Sequence, residues 1–354
     1  MRSILNYISK RRKPIAGTEA SPTRRRVLEI MAAGSVALLA GPAARAANSP
    51  AVRWQGEMFG APVALTLYPA DPASGDAALR AVLAEIERLE DVFSLFRPHS
   101  ALSRLNRTGE LAGAPTELHE LLAACRELHA ASAGAFDPSV QALWQLYSAH
   151  FGRKDADPAG PAAADVEAAR ARVGLQHVES MGTGIRIARK GLALTLNGIA
   201  QGYATDRART ILAAHGLPHA LVNLGEFAAL GPRQDGGSWR VAVIHPEVPW
   251  RNLARVALAP GQALATSAPA GTAFDAARRF HHLLDPRTGR CAGAWRSVSV
   301  CAPTATLADG LSTALAVTPP AQARALLARY PACSALVLGA EDPADTLGTA
   351  FPLA

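Results

Sequence analysis

Residues 297–317 read SVSVCAPTATLADGLSTALAV. Ser297–Cys301 has the short, alternating texture of a strand, and Thr306–Val317 then places apolar residues at helical spacing. The pieces around this segment show the same mixture without a regular alternation. Upstream, His177–Ser180, Ile185–Ala188 and Leu192–Leu196 read as short strands between Gly-rich turns, followed by a helix over Ile199–His215 with Asn197 as its N-cap. Further strands follow at Ala220–Asn223, Trp239–Ile244, Leu253–Leu258 and His281–Leu284. Downstream, a helix over Ala321–Tyr330 and a strand over Ser334–Leu338 close the chain. Strands and helices in runs, with no βαβ rhythm and no internal repeat, point to the α+β class.

The first half is more helical. Val63, Leu65 and Leu67 alternate as in a half-buried strand. Leu79, Val82, Leu83, Ile86, Leu89 and Phe93 follow helical spacing, as do Leu118, Leu121, Leu122, Cys125 and Leu128, which makes Cys125 a core residue. Another helix is expected through Leu143 and Tyr147, and residues 153–164 read as a surface linker.

The 354 residues carry a formal charge of +7. That charge sits in residues 1–46; beyond them basic and acidic residues are equal in number, which removes a nucleic-acid partner. Thr23-Arg24-Arg25-Arg26-Val27-Leu28 is a twin-arginine pattern, followed by the apolar stretch Ile30–Leu39 and the small-x-small site Ala44-Arg45-Ala46. Residues 1–46 are therefore expected to be a signal peptide, and 47–354 a periplasmic domain without a permanent membrane span. An antiparallel pairing of His281–Leu284 with Ser297–Cys301 would bring Cys291 near Cys301, although free core thiols are the simpler outcome.

No phosphate loop, HExxH or CxxC is present, and Gly182-Thr183-Gly184 suits a hairpin turn better than a dinucleotide fingerprint. Four segments stand out instead. Asp309 and Thr313, four apart on a helix, share a face and suit a hard cation such as Mg²⁺; spacing alone favours an ordinary helix-end carboxylate and a back-bonded threonine. His281–Gly289 delivers His282 and Asp285 to a turn, as a base and a metal ligand or as plain turn chemistry. Thr195–Asp206 passes through Gly198 into a helix start that favours an anion. Gly134-Ala135-Phe136-Asp137-Pro138 permits close backbone approach to a ligand, or is a simple turn.

Taken in order, these segments resemble the ApbE family of FAD:protein FMN transferases. The likeness takes in Phe59–Pro62, Phe93–Phe96, Ser100–Asn106, Leu221–Gly225 and Ala265–Ser267, and it is most specific in His282-x-x-Asp285-Pro286-x-Thr288-Gly289 followed by Ala308-Asp309-x-x-Ser312-Thr313-Ala314. The resemblance implies mixed, mostly antiparallel sheets flanked by helices. It also implies transfer of the FMN half of FAD onto a Thr or Ser hydroxyl of a flavoprotein, with Mg²⁺ and release of AMP. It places Asp309, Thr313 and the Gly198 carbonyl on the metal and makes His282, with Asp285, catalytic. Phe59, Phe96, Ala135, Phe136, Asp137, Thr195, Gln201 and Leu283 fall at FAD-contacting positions.

Departures from the family pattern bear on FAD affinity. Thr195 stands for an acidic residue, Gln201 for a lysine, Phe96 for a tyrosine and Phe59 for a methionine, and a Gly-Gly-Asp stretch reads Gly225-Glu226-Phe227. The competing functions are a flavin-binding or delivery protein and an FAD pyrophosphatase giving FMN and AMP. Within the family, an exported member with this glutamine also resembles NosX of nitrous-oxide respiration, which implies the flavoprotein NosR as acceptor.

Overall fold

The computed structural model describes residues 37–38, 51–59, 61–340 and 343–354. The twin-arginine motif and the cleavage site therefore lie outside the described residues. Ala37–Leu38 forms a two-residue strand, β1. The described chain continues through β2 (Val52–Met58), β3 (Ala61–Tyr68), α1 (Pro72–Phe93), α2 (Ala101–Thr108), β4 (Glu110–Leu111), α3 (Thr116–Ala131), α4 (Gln141–Phe151) and α5 (Ala163–Arg170). Then come β5 (Val178–Met181), β6 (Gly184–Ile187), α6 (Ala200–Ala214), β7 (His219–Asn223), β8 (Phe227–Leu230), β9 (Trp239–His245), β10 (Val248–Leu258) and β11 (Ala263–Ser267). The last elements are β12 (Trp295–Ala302), α7 (Ala305–Val317), α8 (Pro320–Ala328), β13 (Ser334–Gly339) and β14 (Ala344–Gly348).

The class is α+β, with antiparallel sheets. Eight strands pair in the order β14-β13-β12-β11-β8-β7-β3-β2, every neighbouring pair antiparallel. Successive residues alternate between the two faces of this sheet. Val222, Ala228, Val300 and Val337 face the helices, whereas Leu221, Phe227, Cys301 and Leu336 pack with Trp239 and Val256 of the β9–β10 hairpin. β1 pairs with β9 at the edge of that hairpin, and β4, β6 and β5 form a separate small sheet. The helix-side core is the larger one. It takes in α1 through Leu79, Val82 and Leu89 and α3 through Leu118, Leu121 and Cys125, the residues with helical spacing.

The structure corrects several local expectations. Leu192–Leu196 is not a strand; its one bridge is Ala193 to Val140. His281–Leu284 does not pair with Ser297–Cys301, because β12 lies between β11 and β13. His281 and Leu284 instead bridge Ala273 and Cys291 locally. All four cysteines are free, so no Cys291–Cys301 bond forms. Asn197 does not cap α6: the cap position is Ile199, with no side-chain hydrogen bond. α2 and α5 were not expected from periodicity. No helix among the described residues is long and apolar enough to cross a membrane.

Candidate active site

Where the start of α6, the middle of α7 and the ends of β3, β7 and β11 converge, a cavity of about 570 Å³ opens. Its size lies in the range of small-molecule sites. Two close approaches of backbone create it. A Cβ on Gly202 would overlap the Ala305 carbonyl and lie 2.8 Å from Asp309 Cβ, so only glycine lets α6 rest against α7. A Cβ on Gly198 would meet Thr313 Cγ2 and Oγ1 at 3.0 Å, so Gly198 backbone lies directly over that hydroxyl.

That packing brings the expected cation ligands together. Asp309, only 4% exposed, accepts a 3.0 Å hydrogen bond from the Gly202 N–H. Thr313 is not back-bonded to its own helix; its Oγ1 lies 3.3 Å from Ser267 Oγ, which also pairs with Ser312 Oγ at 2.7 Å. Burial pushes the Asp309 carboxyl above its ordinary pKa, and the Gly202 N–H works against that shift. Gly198, Asp309 and Thr313 all line the cavity. A carboxylate, a hydroxyl and a backbone carbonyl make an all-oxygen donor set, which fits Mg²⁺. Among the described residues no group of three His, Cys, Asp or Glu side chains offers a softer metal an alternative.

Glu226 is a wall residue that the sequence reading did not choose. It is 8% exposed, and burial first, then the nearby Asp309 carboxylate, raise its pKa well above the ordinary value. A glutamate between Gly225 and Phe227 at the tip of an apolar hairpin was the available signal. Beside it, Gln201 packs its amide against Gly225, whose φ of +103° and missing Cβ make room. Gln201 Nε2 is buried without a hydrogen-bond partner, so a ligand oxygen is the remaining acceptor for it.

Across the cavity, residues 268–292 form a loop anchored on α4. Tyr147 stacks on Phe274 at 5.9 Å, and its hydroxyl donates to the Gly289 carbonyl at 3.1 Å. His282 hangs from this loop with Nδ1 3.1 Å from the Thr272 carbonyl. That contact defines Nδ1 as the protonated nitrogen and leaves the Nε2 lone pair available. Burial lowers the His282 pKa, with the Thr272 carbonyl acting in the opposite sense. Leu283 also lines the cavity.

Asp285 does not line it. Its carboxylate is held by Arg287 through Nε and Nη2, both at 2.9 Å, and by the Arg287 N–H, so it builds the turn that presents His282. Phe59 is also absent from the wall: its ring is buried in the core, and its N–H donates to Glu90 Oε1 at 2.9 Å. Phe96, 43% exposed, lines the cavity with Ala135, Phe136, Asp137 and Thr195. Asp137 has little capacity left for a ligand, since Ser139 N and Oγ and Leu175 N already donate to its carboxylate. It fixes the 134–138 turn, whose backbone is the contacting surface.

The ApbE family model matches residues 59–337. The chain belongs to the ApbE family. Two relatives support the assignment across most of its length. The FAD:protein FMN transferase of Klebsiella pneumoniae is 27% identical over 306 residues, covering 82% of this chain and 86% of the relative. That of Treponema pallidum is 31% identical over 291 residues, covering 77% and 80%. Among solved structures, the apo flavinyl transferase ApbE of Pseudomonas stutzeri superposes with a TM-score of 0.71 at 30% identity, over 84% of this chain and 93% of that one. The Vibrio cholerae flavin transferase ApbE gives 0.73 at 25%, over 85% and 99%. The cavity of this chain is notable for its charge. Glu226, Asp309 and Asp137 line it, and no lysine or arginine does among the described residues.

Proposed function

We propose that this chain, a FAD:protein FMN transferase, moves FMN from FAD to a threonine or serine hydroxyl of an acceptor flavoprotein with Mg²⁺ as its cation, releasing AMP. The supporting observation is the charge balance of the cavity. A pyrophosphate would enter a wall containing buried carboxylates and, among the described residues, no lysine or arginine. Such a pair of like charges is tolerable only with a cation between them. Asp309, Thr313 and the Gly198 carbonyl would hold that ion; when bound, it neutralises the pyrophosphate charge and polarises the phosphoryl group.

The chain's own groups supply the rest. The orphaned Gln201 side-chain amide offers an N–H donor to phosphate oxygens, whereas the Ala200 and Gly202 N–H groups at the start of α6 are already taken by the Leu196 carbonyl and Asp309. His282, neutral at pH 7, presents Nε2 to the incoming hydroxyl and accepts its proton as the new phosphoester bond forms and the pyrophosphate P–O bond breaks. Asp285 positions His282 through the 285–290 turn and does not touch the reacting atoms. The aromatic and backbone surface of Phe96 and 134–138 suits the isoalloxazine ring.

The deciding assay incubates the protein with FAD, Mg²⁺ and a threonine-bearing acceptor. Covalent flavin on the acceptor with stoichiometric AMP is the expected result. Free FMN and AMP would make the chain a pyrophosphatase, and unchanged bound FAD would make it a carrier. We further infer periplasmic activity from Arg24-Arg25 and the residues after them. Replacing both arginines by lysine should retain the precursor in the cytoplasm, and normal maturation would refute export by this route. NosR is the acceptor that the NosX-like features suggest, and labelling of NosR in the same assay tests it.

A further inference from the structure

A second pocket of about 590 Å³ lies on the outer side of the cavity wall, between α2, the start of α4 and residues 187–193. Its wall is cationic. Arg107, Arg189 and Lys190 line it, with no Asp or Glu among the lining residues. None of the three forms an ion pair among the described residues, in contrast to Arg97, Arg186 and Arg296, which all face carboxylates. Arg107 donates to the Pro98 carbonyl and Arg189 to those of Ala171 and Val173, so backbone oxygens orient both guanidinium groups without neutralising them.

The floor is built as well as charged. Gln141 is 6% exposed and lines this pocket. The carboxamide of Asn106 donates to the Leu194 carbonyl and accepts from the Leu194 N–H, at 2.8 and 2.7 Å, so the pocket is tied to the segment that also shapes the active site.

The two pockets share that segment. Leu192 and Ala193 line the outer one, Thr195 and Asn197 the inner one; Leu95 and Phe96 divide in the same way, as do Gln141 and Trp144 of α4. A chain lying in the outer pocket is therefore held against the same segments that wall the inner cavity. We propose that this pocket docks an acidic stretch of the acceptor protein close in sequence to its target hydroxyl. Carboxylates there would meet Arg107, Arg189 and Lys190, with the Gln141 side chain lining the same pocket. The inference rests on the transferase reading for the identity of the occupant.

The test uses the full chain with FAD and two fluorescein-labelled threonine peptides, identical except that one carries three glutamates and the other three glutamines beside the threonine. Anisotropy measures binding, so transfer chemistry is not needed for the readout. The expected result is about tenfold tighter binding of the glutamate peptide, with that preference shrinking as salt rises. The preference should vanish in Arg107→Glu/Lys190→Glu, whose two residues are exposed, and weaken in Gln141→Leu, with melting temperature and FAD affinity unchanged in the double variant. Equal binding of the two peptides, or a preference that survives charge reversal, would overturn the proposal. Full displacement of the glutamate peptide by AMP or inorganic phosphate near its own binding concentration would also overturn it, in favour of a small-anion site. Glutamate preference without any flavin transfer would leave the docking site standing and remove the transferase reading instead.

Discussion

Gly202→Ala is the most discriminating single change, because elementary helix propensity and the tertiary structure predict opposite signs. In an isolated helix the substitution would stabilise by about 1 kcal/mol. In the folded protein Gly202 is the contact point of α6 with α7, and the added Cβ falls inside the Ala305 carbonyl and 2.8 Å from Asp309 Cβ. Backbone cannot swing aside as a side-chain end does, so overpacking costs about 1–3 kcal/mol. Separating the helices also loses the 3.0 Å Gly202 N–H to Asp309 hydrogen bond, which to a charged partner is worth about 1.5–3 kcal/mol. The net is a loss of roughly 2–5 kcal/mol, or about 4–15 °C in melting temperature for a chain of this size. The Asp309 carboxylate moves with α7, so FAD retention in Mg²⁺ should fall as well. Thermal unfolding with and without FAD and Mg²⁺ measures both effects. Gly293→Ala, at a position with nothing within 4 Å of a new Cβ, is the neutral control. A Gly202→Ala protein that melts within a degree of the parent and keeps its FAD would refute the close-packing argument.

Other substitutions separate the roles of the site residues. Asp309→Ala should abolish transfer and the stabilisation conferred by Mg²⁺ in the presence of FAD; in the parent that stabilisation should grow from pH 5.5 to 8, because burial holds the Asp309 proton more tightly than usual and the cation must displace it. His282→Ala should retain FAD while losing about two to four decades of transfer rate, and loss of FAD with unchanged residual rate would count against a proton-accepting role. His281, beside it, is buried with its Nδ1 unpartnered, and burial, then the neighbouring His282, lower its pKa to about 4. A base depressed in this way costs the fold nothing above its ordinary pKa and penalises it progressively as pH falls from 6.5 toward 4, by up to roughly 3 kcal/mol. Urea midpoints at pH 7 and 4.5 should therefore converge in His281→Gln relative to the parent. Thiol titration should find four free cysteines after denaturation and little fast reaction in the native protein, since Cys125, Cys301 and Cys333 are buried.

Several elements were legible from residues adjacent along the chain. α1, α3 and α7 appear where apolar spacing places them, because a helix needs one buried stripe and that stripe repeats with the helix period. Asp309 and Thr313 were legible as a pair for the same reason, one helix turn apart. The twin-arginine leader is a reading of sequence alone. Leu192–Leu196 and His281–Leu284 misled, since short apolar runs are also what a buried loop needs when it packs on a neighbouring helix. Whether such a run joins a sheet depends on a free strand edge, and β11 and β13 already occupy both sides of β12. The tertiary structure likewise decided which polar residues are functional. Glu226 and Ser267 enter the site from hairpin and strand ends far from Asp309 in sequence, and Phe59 and Asp285 leave it because core and turn partners claim them. Secondary structure follows from the periodicity of near neighbours, whereas the charge and shape of the cavity follow from burial, which only the contacts between distant segments set.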